Sequence, residues 1–283
     1  MIFIKLTNGF GNNLFQYIAG RLLAQFLNEK LILILPFKDY YGLDEIDKLG
    51  LYYDDIIFKI NKKKIISIGD KDYLFGFDKN LKDKNILIDG YFEDYTFFYN
   101  HLDCIKNWFT IPEKKSSEHL AFHLRTGDRL FYNFHYDDKG EPIVGLDRIE
   151  AVLNKFNFKK LSIITDLPRW EKTTIDKMKN FKLHTDLNPL FLVNLNFAVK
   201  YHNNLIEKLN KYNPIIKNND IASDFSYMLS FDNFLFQHST LAWWAAVISG
   251  ANKVGVYGPW RPFKKEKNKN LSQIPLEGWF KWE

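Results

Sequence analysis

Residues 30–37, KLILILPF, carry no polar side chain from Leu31 to Phe37. A strand with one wetted face alternates apolar and polar residues. A run that is apolar at every position must be covered on both faces, as an interior strand of a parallel sheet is. Parallel strands need long return connections, usually helices, so this run alone points to an α/β fold. The residues before it supply the rest of the unit. MIFIKL, residues 1–6, reads as a β-branched and aromatic strand, and TNGFG (7–11) reads as a turn. From Asn12 the period changes to that of a helix: Leu14, Ile18 and Leu22 recur every fourth residue, beside Phe15, Leu23, Phe26 and Leu27. Asn12 or Asn13 is the expected cap. The chain therefore opens as strand, glycine turn, helix, strand.

The same alternation is expected again after a polar, proline-bearing stretch at 111–119, where a domain boundary is expected. Before it, strands are expected at 54–60 and at 85–92, the latter ending at Gly90. Beyond it, strands are expected at 120–124, 160–165, 181–184, 233–237 and 253–257. Helices are expected at 147–156, 169–180, 190–211 and 239–249, Gly250 following the last turn. Two Rossmann-like domains facing across a cleft are the expected architecture, with ligands at the carboxyl ends of the strands.

Composition narrows the partners. Of 283 residues, 46% are hydrophobic and 17% aromatic, ample for two cores, and disorder of the bulk chain is excluded. The net charge of +5 suits an anionic small ligand and is too diffuse for nucleic acid. One cysteine, Cys104, permits no internal disulfide, and a reducing, cytoplasmic setting is expected. The N-terminus lacks the basic leader of a signal peptide, and the apolar run Leu241–Ile248 is too short to span a bilayer. Membrane association is expected to be peripheral at most.

Two strand–turn junctions carry the chemistry. In FHLRTGDRL, residues 122–130, an apolar strand breaks into Arg125, Thr126, Gly127 and Asp128. Arginine presents a planar fork of donors that matches phosphate oxygens. Gly127 lets the backbone come close to a ligand, and Asp128 can hold the arginine from behind. The alternative is a surface turn closed by an Arg–Asp pair, since short polar turns follow most strands. In NFLFQHSTLAWWAAVISG, residues 233–250, Ser239 or Thr240 caps a helix whose free N–H groups suit phosphate. Simple capping is the alternative there, and Trp243 and Trp244 read as core. Together the junctions suggest a pyrophosphate site. Gly9 and Gly11 form a third, weaker junction that lacks the last glycine of the dinucleotide fingerprint. Asp70-Lys71-Asp72 matches the D-x-D of metal-dependent sugar transferases but reads as a solvated loop. No metal site is expected from the histidines, and neither a G-x-S-x-G nor a phosphate-loop sequence occurs.

HLRTGD, residues 123–128, resembles the H-x-R-x-G-D motif shared by the alpha-1,2-, alpha-1,6- and protein O-fucosyltransferases. GFGNNLFQYIAG (9–20), LIDGYFED (87–94), IITD (163–166) and DFSYMLSFDNFLFQHSTLAWWAAVI (224–248) resemble, in order, four further segments of the bacterial alpha-1,2-fucosyltransferases. The resemblance implies a GT-B architecture: residues 1–116 on the acceptor side, 117–265 binding the nucleotide sugar, and a tail, 266–283, returning to the first domain. It implies GDP-fucose as donor, no metal or other cofactor, and inverting transfer to an acceptor-sugar hydroxyl, with galactose as the expected acceptor. Arg125 would clamp the β-phosphate. His123, Gly127 and Asp166 would line the donor site, with Ser239 and Thr240 near the phosphates and Gly11 and Asn12 in the N-terminal loop. Glu93, Asp128 and Asp166 are the carboxylates to test as general base. Thr126, Arg129, His238, Glu93, Thr165 and Leu167 depart from the family's usual residues, which leaves another GDP-sugar, or a non-catalytic binding role, as alternatives.

Overall fold

The computed structural model describes residues 1–6, 9–37, 40–60, 65–73, 78–127, 145–167, 189–237, 239–257 and 278–282. The strand expected at 181–184 and the helix expected at 169–180 lie outside them, as do Asp128, Arg129 and His238. The chain divides into two compact units. The first holds Met1–Pro112 and Thr240–Ile248, and the second holds Glu113–Ser239, Ser249–Pro259 and Glu277–Glu283. Both are α/β, each built on a parallel sheet.

In the first unit the strands are β1 (Ile2–Lys5), β2 (Leu31–Ile34), β3 (Asp55–Ile57), β4 (Ile66–Ile68) and β5 (Ile86–Ile88), in the order β3-β2-β1-β5-β4. All four residues of β2 are buried, as its uninterrupted apolar run requires, although the strand ends at Ile34 and Phe37 is exposed. Four helices accompany them: α1 (Phe10–Leu27), α2 (Tyr41–Lys48), α3 (Asp70–Tyr73) and α4 (Leu102–Lys106). Helix α1 starts two residues earlier than its apolar period suggests, and its cap is Gly9, with no side-chain bond. The two asparagines are drawn into tertiary bonds instead. Asn12 Oδ1 accepts the Thr240 hydroxyl at 2.8 Å, and Asn13 Nδ2 donates to the Tyr40 hydroxyl at 2.9 Å.

The second unit contains β6 (His119–Leu124), β7 (Lys160–Thr165), β8 (Ile215–Lys217), β9 (Asn233–Phe236), β10 (Lys253–Tyr257) and β11 (Trp279–Trp282). Its helices are α5 (Leu146–Leu153), α6 (Pro189–Leu209) and α7 (Ile221–Met228). The sheet runs β11-β10-β9-β6-β7-β8. Counted from the first strand of the unit this is the Rossmann order 3-2-1-4-5-6, which reverses direction between β6 and β9. Leu120, Phe122 and Leu124 share one face of β6 and pack with Ile149, Val152, Leu153, Leu205 and Leu209 of α5 and α6.

The described end of the tail, 278–282, pairs β11 onto β10 in the second sheet, and the rest of the tail lies outside the described residues. One helix differs from expectation. Helix α8 (Thr240–Ser249), expected among the second-domain helices, clusters through Ile248 with the first unit although its preceding strand belongs to the second. Packing explains this. A Cβ on Gly11 would lie 2.3 Å from Thr240 Oγ1, so only glycine lets α1 and α8 approach this closely. Trp244, fully buried, then stacks at 4.8 Å on Phe15 and 5.3 Å on Phe98. Gly250, at φ +66°, ends α8 in the left-handed conformation expected after its last turn.

Removing the Trp244 ring leaves a cavity among these aromatics. Trp244→Ala should lower unfolding free energy by about 3–5 kcal/mol in a urea titration followed by circular dichroism. A loss below about 1 kcal/mol would mean the ring is not part of a packed core.

Candidate functional site

Parallel strands end with backbone N–H groups that have left the ladder, and these must find other acceptors. At the carboxyl end of β6 the acceptor is one carboxylate oxygen. Asp166 Oδ1, just past β7, receives the N–H of Thr126 at 2.8 Å and that of Gly127 at 2.9 Å. The Thr126 side chain turns inward and is buried. Its hydroxyl lies 2.7 Å from His202 Nδ1 and 3.3 Å from Thr165 Oγ1. Asn218, after β8, donates through Nδ2 to the Thr165 carbonyl at 2.6 Å. The ends of β6, β7 and β8 are thus joined by one hydrogen-bonded network, and the loop that follows β6 is fixed from below.

Arg125 heads that loop, half-buried, at the point where the strand order reverses. Open parallel sheets bind ligands beyond the carboxyl ends of their strands at such a point. An arginine, its Nε buried, thus stands at the sheet end where an anionic ligand is expected to lie. Of the other expected donor-site residues in this unit, His123 is buried within β6, between Ile164 and Phe236 in register, and Ser239 is fully buried after β9. Asp166 is brought to the loop as its organiser. Asp128 lies outside the described residues.

Gly11, Asn12 and Thr240 are gathered in the first unit, where they join α1 to α8. The Thr240 hydroxyl spends its proton on Asn12, so a phosphate donor role would require that bond to break. Glu93, also in the first unit, is half-buried and ends a tightly held turn. Asp70 Oδ1 accepts the Phe92 N–H, and Gln16 Nε2 donates to the Gly90 carbonyl at 3.0 Å. A Cβ on Gly90 would sit 2.8 Å from Asp70 Oδ2, and Phe92 is held at φ +55°. The D-x-D stretch is accordingly not a solvated loop. It forms α3, with Asp70 bonded to the backbone of Phe92 and Asp72 to that of Gly69 at 2.8 Å. Among the described residues no cluster of three or more His, Cys, Asp or Glu side chains could hold a metal ion.

Sequence reasoning missed the role of His202 and read Asp70 as part of a solvated loop. The signal for His202 was its place on the buried stripe Ala198, His202, Leu205, Leu209 of α6, where an imidazole among apolar residues needs a polar partner. Comparison with protein-family models, curated proteins and solved structures found no match to this chain.

Burial lowers the His202 pKa from 6.5 to about 4, against an opposing pull from the Asp166 charge. The unfolded chain accepts this proton near pH 6.5, whereas the folded chain refuses it until near pH 4. Above that window the group has no effect. Within it, stability falls as pH falls, by a total of roughly 3 kcal/mol, and below it the loss is constant. His202→Gln should flatten this part of the stability–pH curve, measured by urea unfolding from pH 7 to pH 4. A curve as steep as that of the parent chain would assign the effect elsewhere.

The carboxylate clamp makes a sharper prediction. Asp166→Ala should expose the Thr126 and Gly127 amides to hydrogen exchange. Asp166→Asn, which keeps an acceptor oxygen in place, should protect both amides better than the alanine variant does. Equal protection in the parent and alanine chains would rule the clamp out.

Proposed function

We propose that the chain is a glycosyltransferase of GT-B type that moves fucose from GDP-fucose to a hydroxyl of an acceptor sugar. The transfer is inverting and metal-independent, with galactose as the expected acceptor and an alpha-1,2 linkage. The observation that carries this reading is Arg125, heading a carboxylate-clamped loop where a Rossmann-ordered sheet reverses direction. The H-x-R-x-G-D resemblance in the same residues supplies the donor.

In this reading the acceptor oxygen attacks the anomeric carbon from the face opposite GDP. The bond to the β-phosphate breaks, and negative charge grows on the departing diphosphate. The Arg125 guanidinium meets that charge with two fixed donors, and the Asp166 clamp keeps the loop from reorganising as charge develops. Asp166 is a positioning residue, because its Oδ1 already receives two backbone N–H groups. Glu93 and Asp128 are then the carboxylates to test as base, by the acid limb of the pH–rate profile of each amide variant.

The test is release of GDP from a panel of nucleotide sugars, with and without acceptor and EDTA. GDP-fucose should be turned over, and EDTA should leave the rate unchanged. Arg125→Ala should raise the barrier by about 2.7–4 kcal/mol, the effect of losing one charge-stabilising donor. Arg125→Lys should not restore the rate, since an ammonium lacks the planar fork. Near-parental turnover in either variant would remove Arg125 from the reaction. GDP binding without turnover on any donor would make the chain a binding protein.

A further inference from the structure

At the amino-terminal side of the first sheet, towards the far end of α1 from Gly11, lies an open cavity of about 320 Å³, within the range of small-ligand pockets. Its chemistry is decided by which side chains are already committed. Glu29 and Asp54 line it, but their oxygens are engaged. Glu29 Oε2 holds the N-terminal ammonium at 3.0 Å, and Oε1 holds the Asp83 N–H at 2.8 Å. Asp54 Oδ2 receives the Leu31 N–H at 2.7 Å, and Oδ1 receives the Tyr52 hydroxyl at 2.6 Å. The cations in the same wall, Arg21 and Lys30, have no carboxylate partner among the described residues.

Arg21 is held with care. Its guanidinium carbon lies 4.2 Å over the Trp108 ring and 5.9 Å over the rings of Tyr17 and Tyr52. Nη1 donates to the Tyr17 hydroxyl at 2.8 Å. Burial pushes that phenol up to about 12, so it does not ionise to neutralise the arginine. Nη1 is taken by Tyr17 and Nε is covered by protein, so Nη2 is the nitrogen left to meet an oxygen of a carboxylate or phosphate. Gln25 and Asn28, one and two turns along α1, also line the cavity, Gln25 Oε1 lying 3.5 Å from Cys104 Sγ, and so does the Tyr52 ring, 55% exposed and fixed by its bond to Asp54. Planar amides beside an open aromatic face are groups that bind hydroxyl-rich rings, whose C–H faces cover the aromatic while their hydroxyls meet the amides.

We propose that this cavity is a second binding site, for a sugar bearing one oxyanion, with the acid group on Nη2 of Arg21 and the ring against Tyr52. It does not depend on the donor reading of the second unit. The ligand would give the caged cation a counter-ion. Lys30, exposed at the rim, adds charge without fixed geometry.

The experiment is calorimetric titration of the full chain with glucuronate, glucose and inorganic phosphate, while the Trp108 indole signal is followed by NMR. Glucuronate should bind saturably and shift Trp108, and glucose should bind at least about tenfold more weakly. Arg21→Gln should weaken glucuronate binding by about tenfold or more, and Lys30→Gln by roughly two- to threefold with steeper loss in salt. If Arg21→Gln fails to fold by circular dichroism, Lys30→Gln and the glucuronate-to-glucose ratio decide the matter. GDP binding, measured in parallel, should be the same in both variants. No saturable binding, equal binding of glucose and glucuronate, or a response to phosphate alone would overturn the proposal.

Discussion

The second unit depends on a single carboxylate oxygen. A parallel sheet leaves its strand ends with unpaired N–H groups, and the turn after β6 gathers two of them on Asp166 Oδ1. Hydrogen bonds to a charged acceptor contribute about 1.5–3 kcal/mol each, and an unmet buried N–H costs about as much, so this contact determines the path of the chain. With residues 126 and 127 fixed, the Thr126 side chain has to point down into the protein, where His202 and Thr165 receive it. Arg125 is thereby followed by two residues whose backbone is pinned. The cost is a neutral, buried imidazole that resists protonation until pH has fallen well below its ordinary range.

The first unit is organised by a steric constraint. Gly11 has no side chain, and the Thr240 hydroxyl and the Leu241 backbone occupy the space a methyl group would take. That approach draws α8 away from the unit of its flanking strands and seats Trp243 and Trp244 against Phe15. A glycine that reads from sequence as room for a ligand is here room for a helix. The Thr240 hydroxyl is likewise committed to Asn12, so the residues of the N-terminal loop serve first to join two helices.

How much of this was legible follows from the range of each interaction. The run 31–34 declares itself because burial on both faces excludes polar residues locally. Short edge elements do not. Strands β4 and β8 are three residues each, and β8 has two exposed residues, so neither leaves a period to read. Arg125 and Gly127 stood out because a strand breaks at them, and Asp166 only through the resemblance of IITD to a family segment. That the carboxylate accepts from the backbone of the first loop, rather than facing a ligand, is a contact across 40 positions that no local pattern encodes. Asp70 was misjudged for the same reason, since its partner is the Phe92 N–H, 22 residues on.

Charge gives a last discriminator. The chain carries 39 basic residues, of which six are arginine. Lysine is its ordinary cation, strongly hydrated and content at the surface, so the net charge of +5 says little about where an anion would bind. Arginine is the sparing choice, and among the described residues it appears at 21, 125 and 148. Arg148 is exposed on α5 and needs no more than solvent. The other two are partly withdrawn from water, one in a cage of aromatic rings and one at the head of a clamped loop. Withdrawing a cation from water is unfavourable unless something restores its electrostatic environment. A lysine in either place would lose hydration that three rotatable donors cannot easily regain. A guanidinium is weakly hydrated and keeps a flat, directional edge for two oxygens, so it suits a position where an anion arrives and departs.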